Sequence, residues 1–179
     1  MLGIYLHIPY CRTLCPYCDF VKARSRDGVP QAFIDALCRE IAAFEGPRDA
    51  ASIFFGGGTP SIAAPAQLAQ IMDALAATFS LHTPEVTIEA NPDDLSPELV
   101  RAWRAAGINR VSLGVQSFDD LCLRKLGRRH DAAKARTACQ IIAAEFDNWN
   151  LDLIFGASPI ETWSETLATA IEGVPPPKK

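Results

Sequence analysis

Five short β-rich apolar runs, each followed by a helical pattern, constrain the fold of this 179-residue chain more than anything else in it. Gly3–Ile8, Ala51–Phe55, Glu85–Ala90, Arg110–Gly114 and Trp149–Phe155 read as strands, each bounded by Gly, Pro or Asn. Helical spacing of apolar residues runs through 31–44, 66–79, 119–126, 131–145 and 161–172, and Ser96-Pro97 opens one more helix that reaches about Ala106. Strands alternating with helices at this spacing predict right-handed βα units and a parallel sheet. The fold class is therefore α/β, in one domain over residues 1–179. On alternation alone, a doubly wound open sheet and an open barrel both remain available.

Composition excludes several function classes. An apolar fraction of 49% and a charged fraction of 21% are ordinary globular usage, and the net charge of −4 gives no electrostatic footprint for nucleic acid. No run reaches the roughly 18 apolar residues of a membrane-spanning helix. Met1–Pro9 has no basic region ahead of an apolar core, so no signal peptide is expected and a cytoplasmic location is.

Cysteine use carries the chemistry. Of six cysteines, Cys11, Cys15 and Cys18 fall in one CxxxCxxC stretch directly after the first strand. In a chain without export signals this clustering argues for metal or redox chemistry over disulfides. Three thiolates on one loop can converge on an iron–sulfur cubane and leave one iron without a protein ligand. A small molecule bearing an amine and a carboxylate can occupy that open position. A zinc site of the three thiolates with His7 stays open as an alternative, as do unliganded core thiols. Cys38, Cys122 and Cys139 sit at apolar helical positions and read as small buried hydrophobes.

The loop, with Tyr17 ahead of its third cysteine, resembles the signature of the radical S-adenosylmethionine (SAM) superfamily. The closer similarity is to its oxygen-independent coproporphyrinogen III oxidase-like branch. It is carried by Tyr5-Leu6-His7-Ile8-Pro9-Tyr10-Cys11, Gly56-Gly57-Gly58-Thr59-Pro60, Glu89-Ala90-Asn91-Pro92, Gly114-Val115-Gln116-Ser117-Phe118 and Leu151-Asp152-Leu153-Ile154-Phe155-Gly156. The resemblance implies a [4Fe–4S] cluster on Cys11, Cys15 and Cys18. It also implies SAM contacts from Tyr5, Gly57, Gly58, Thr59, Glu89, Gln116, Arg128 and Asp152, with Arg129 as the neighbouring competitor of Arg128. No catalytic side chain is assigned.

Two features divide the branch. The dehydrogenase has a fourth cysteine two residues after the third and an N-terminal extension. Here that position is Phe20, and the loop starts at residue 11. Both resemble the heme chaperone (HemW-like) relatives, which bind heme and deliver it to respiratory proteins. The alternative implied function is decarboxylation of coproporphyrinogen III to protoporphyrinogen IX, started by a SAM-derived radical after electron transfer from a flavodoxin or ferredoxin. Heme or coproporphyrinogen III is thus the expected ligand, and heme joins the cluster and SAM among expected cofactors.

The resemblance selects the barrel: the N-terminal part of a (β/α)6 partial TIM-type barrel, incomplete after about five strands. Its unpaired fifth strand would expose backbone donors and acceptors, giving a marginally stable or self-associating chain. Ligands collect at the C-terminal ends of parallel barrel strands, where these motifs fall. His7 is expected to be a packed or hydrogen-bonded strand residue, and His82 and His130 belong to no constellation.

Overall fold

A computed structural model describes residues 1–176; Pro177, Lys178 and Lys179, the end of the terminal proline run, lie outside it. In chain order the strands are β1 (Leu2–Ile8), β2 (Tyr10–Cys11), β3 (Ala23–Arg24), β4 (Asp49–Gly57), β5 (Ser80–Ala90), β6 (Arg110–Gln116) and β7 (Trp149–Leu153). The helices are α1 (Gln31–Ala42), α2 (Pro65–Thr78), α3 (Pro97–Ala105), α4 (Asp120–Lys125), α5 (Ala132–Glu145) and α6 (Ile160–Glu172).

Five strands form one parallel sheet in the order β1-β4-β5-β6-β7. The order never reverses, so every crossover advances the sheet in the same direction. A doubly wound sheet needs a reversal and a barrel wall does not, which decides between the two architectures. β1 and β7 stand at the two edges.

Alternation along the strands separates core from lumen. On β6, Val111, Leu113 and Val115 are buried, with Trp103 of α3 and Ile142 of α5 in the same core. Arg110, Ser112, Gly114 and Gln116 take the opposite face. That face is polar: Ser112 Oγ donates to Asp152 at 2.9 Å, Asn150 Nδ2 donates to Ser112 Oγ at 2.9 Å, and Arg110 donates to Asn150 Oδ1 at 2.6 Å. Helix starts follow the side-chain chemistry. Ser96, Asp119 and Asp131 accept the backbone N–H of Leu99, Cys122 and Lys134, satisfying donors the first turn cannot.

Several boundaries differ from the sequence reading: β4 runs two residues further at each end and β6 two further at its C-terminal end. β5 begins at Ser80, ahead of Glu85, because the register jumps from Ala50↔Leu81 to Ser52↔Glu85. The intervening His82, Thr83 and Pro84 loop out of the ladder, with Thr83 at φ +46°. β7 stops at Leu153, before Phe155, as the chain turns toward Gly156 at φ +81°. The two-residue pair β2–β3, which no periodicity announces, ties down both sides of the cysteine loop.

Candidate functional site: a cysteine loop over the strand ends

Backbone hydrogen bonds fix the loop before any side chain is considered. Gly58 N–H donates to Ile8 O and Thr59 N–H to Tyr10 O, both at 2.9 Å, so the glycine turn after β4 clamps the loop's entry. Ala23 N–H donates to Pro9 O at 2.6 Å and Ser25 N–H to Cys11 O at 2.9 Å, closing its exit. Cys18 N–H donates to Cys15 O at 3.3 Å within the loop, and Lys22 Nζ donates to Cys18 O.

The glycines are needed for close approach. Gly57 has φ +112°, a conformation side chains rarely tolerate. A Cβ on Gly58 would stand 2.8 Å from Tyr10 O, 2.9 Å from Pro9 C and 2.9 Å from Cys11 Sγ, and backbone cannot swing aside. Gly58→Ala is therefore expected to cost about 1–3 kcal/mol by overpacking and to lower the iron retained after reconstitution. A wild-type melt with wild-type iron would show that the loop does not sit against this turn.

One pocket at the C-terminal ends of the strands collects Cys11, Cys15, Cys18, Gly57, Gly58, Thr59, Glu89, Gln116, Arg128 and Asp152. These come from the cysteine loop, four strand ends and the segment after α4. Gln116 reaches it through a local distortion: the β6–β7 register skips Val115, and Gln116 takes φ +69°. Arg128 lines this pocket, while Arg129 is exposed and does not. Tyr5 does not line the pocket. Its ring stacks on Phe54 and its hydroxyl meets His7 Nδ1 at 3.2 Å, leaving it 56% exposed beside the site.

Polar contacts tie the pocket wall together. Thr59 Oγ1 donates to Cys11 Sγ at 3.4 Å, and Arg128 Nη1 lies 3.7 Å from Cys15 Sγ and 3.3 Å from Tyr17 Oη. Arg128 Nη2 donates to Asn91 Oδ1 at 2.5 Å and to Gly114 O at 2.8 Å. Arg128 Nε is buried with no hydrogen-bond partner among the described residues. Gly57 N–H donates to Glu89 Oε2 at 3.2 Å.

Burial dominates the electrostatics. It pushes the Cys11 thiol up against the opposing Thr59 hydrogen bond, and the neighbouring Cys18 and Cys15 push the same way. Glu89 is also raised, by burial first, with Asp152 adding to it and the Gly57 N–H opposing. An enclosed, crowded set of thiols and carboxylates gains from a cation or cationic ligand among them.

Sequence reasoning passed over two residues of this wall. Asn91 reads as a strand terminator before Pro92, and its side-chain role appears only in three dimensions. Ser112 was accessible in principle, because a polar residue two before Gly114 on a buried strand falls on the lumen face. His130, assigned to no constellation, has a fully buried ring: Nε2–H donates to Val115 O at 3.0 Å, and Nδ1 lies 3.9 Å from Asp93. His7 has both ring nitrogens engaged, by Tyr5 and by Val21 O at 2.8 Å, which removes it as a fourth ligand. Cys122 and Cys139 are buried in helices, and Cys38 is half-buried with its thiol 3.8 Å from Gln70 O.

The family model described as the Radical SAM superfamily matches residues 5–170. The chain belongs to the radical SAM superfamily. Membership implies a [4Fe–4S] cluster and SAM, and the donor set fits both: three thiols on one loop line a pocket together with the Arg128 guanidinium. The chain is 40% identical over 163 residues to heme chaperone HemW of Bacillus subtilis, covering 87% of this chain and 43% of that protein. It is 36% identical over 185 residues to heme chaperone HemW of Escherichia coli, covering 98% and 48%. Coproporphyrinogen III oxidase (HemN) from Escherichia coli, a radical SAM enzyme, superposes with a TM-score of 0.84 at 30% identity, over 97% of this chain and 42% of that one. The chain thus spans less than half the length of these relatives. Among the described residues no helix is long and apolar enough to cross a membrane.

Proposed function

We propose that this chain is the cluster- and SAM-binding core of a heme chaperone, with Cys11, Cys15 and Cys18 ligating the [4Fe–4S] cluster. The carrying observation is the convergence of the three thiols with Gly57, Gly58, Thr59, Glu89, Gln116, Arg128 and Asp152 on one pocket. Gly57 and Gly58 let the backbone approach a ligand closely. Glu89 and Asp152 present carboxylates suited to ribose hydroxyls or an ammonium group, and Gln116 offers both a donor and an acceptor. Arg128 supplies the cation for a carboxylate, while Tyr5 contributes only if its hydroxyl leaves His7. When bound, the cluster and SAM supply one-electron radical chemistry; the protein positions them and limits solvent access.

Phe20, at the position of the dehydrogenase's fourth cysteine, favours the chaperone; it lines the pocket mouth at 64% exposure. Heme would be the cargo, respiratory proteins its receivers, a flavodoxin or ferredoxin the electron source, and the cytoplasm the location. The structural likeness to coproporphyrinogen III oxidase supports a second reading, an oxidase that decarboxylates coproporphyrinogen III.

The test begins with anaerobic reconstitution and EPR of the reduced protein. A [4Fe–4S] signal that changes when SAM is added supports the site, and a signal indifferent to SAM removes the SAM pocket. Heme titration and anaerobic product analysis with coproporphyrinogen III then separate the readings. Heme binding without turnover supports the chaperone, and decarboxylated product supports the oxidase.

A further inference from the structure

Asn91 makes two hydrogen bonds that link the groups facing different cysteine sulfurs. Its Oδ1 accepts from Arg128 Nη2 at 2.5 Å, and its Nδ2 donates to Thr59 Oγ1 at 3.2 Å. Arg128 lies against Cys15 Sγ and Thr59 against Cys11 Sγ.

The donor inventory gives this chain of contacts a direction. A guanidinium has donors only, so the amide must turn its oxygen toward Arg128 and its NH2 toward Thr59. Thr59 Oγ1 then accepts from Asn91, and its single proton is left for Cys11 Sγ. The opposite amide orientation would set two donors against each other at Arg128. It would also offer an oxygen to Thr59, drawing the hydroxyl proton away from sulfur. Arg128 therefore fixes the orientation of Asn91, and Asn91 fixes that of the Thr59 hydroxyl.

We propose that Asn91 is a positioning residue for the cluster site, which commits the Thr59 hydroxyl to the Cys11 sulfur and couples it to the guanidinium beside Cys15. The inference rests on the reading of Cys11, Cys15 and Cys18 as cluster ligands. Hydrogen bonds to ligating sulfurs help to set a cluster's reduction potential, because they stabilise the more negative reduced state. A hydroxyl held on Cys11 keeps the potential higher than one turned away.

Asn91→Asp separates positioning from packing. The carboxylate keeps the partnership with Arg128, so the loop stays anchored, but it can only accept toward Thr59 and competes with Cys11 for the hydroxyl proton. The added negative charge lowers the potential by itself, so the measurement is a cycle with Thr59→Val. In the reconstituted chain, Asn91→Asp should shift the midpoint potential further negative when Thr59 is present than in the Thr59→Val background. Thr59→Ser, which retains the hydroxyl, should restore the larger shift. Equal shifts in both backgrounds would mean a simple charge effect and overturn the relay while leaving the cluster in place. A wild-type chain that assembles no cluster under the same conditions would overturn both this inference and the reading beneath it.

Discussion

Replacing Cys15 with alanine is expected to abolish [4Fe–4S] assembly outright while leaving the chain folded. Among the described residues, no further thiol stands beside the three-cysteine loop in reserve. Cys38 lies on α1 with its thiol toward Gln70 O, and Cys122 and Cys139 are buried in α4 and α5. His7, the nearest alternative in sequence, has both ring nitrogens hydrogen-bonded. Two thiolates cannot hold a cubane that already depends on an open position for its ligand. The fold should survive, because Cys15 is only half-buried and, among the described residues, its side chain meets only the long contact from Arg128 and the neighbouring Tyr17 hydroxyl in the same loop, neither of them in the core. A change of this kind away from the core costs on the order of 0.5 kcal/mol or less. Iron and sulfide per chain, with EPR of the reduced protein, read the first effect, and a thermal melt reads the second. Cys38→Ala is the matched control and should load iron as the wild type does. Full iron content in Cys15→Ala would refute the three-cysteine ligand set.

Legibility in the sequence followed the range of the interactions involved. The five main strands could be read because alternation and Gly, Pro and Asn punctuation are local, and the cysteine triplet because its ligands are seven residues apart at most. Barrel handedness added that the motifs after successive strands must share one edge, which the pocket bears out for its lining. The β2–β3 pair could not be read, since two residues carry no period and the pairing spans the whole loop. Tyr5 was the harder case. Its place on β1 was correct, but the direction of its hydroxyl depends on His7 and its ring on Phe54, contacts that no spacing encodes. Gln116 reaches the pocket through a register skip and a positive φ, and both are properties of the β6–β7 pairing.

Asn91, Thr59 and Arg128 show the same limit within the site. Their bonds join positions 32 and 37 residues apart, and Arg128 meets Tyr17 across 111 residues. A motif reading can name each residue and still miss that they form one wall. The resemblance supplied Arg128 as a candidate, and the pocket lining holds Arg128 and not Arg129.

Arg128→Lys tests that geometry, with an expected loss of about 10–100-fold in SAM affinity. Arg128 spans three anchors at once, Asn91 Oδ1, Gly114 O and Tyr17 Oη, and holds its Nε buried and unpartnered beside them. A lysine ammonium keeps the charge but is a single point on a flexible stem, so it cannot hold those anchors and still offer an aligned donor to a ligand. Hydrogen bonds to charged groups are worth about 1.5–3 kcal/mol, which corresponds to the stated range at about 1.4 kcal/mol per tenfold. Arg128→Gln removes the charge as well and should lose at least as much. Calorimetric titration of SAM into the reconstituted variants measures the affinity, and a melt of the same samples measures the strut role. If the melting temperature falls in Arg128→Lys but SAM binds as tightly as to the wild type, Arg128 only braces β6 against the cysteine loop, and the acceptor for its buried Nε must be sought elsewhere. If affinity falls by the expected factor while the melt is unchanged, the Arg128 guanidinium is part of the ligand site.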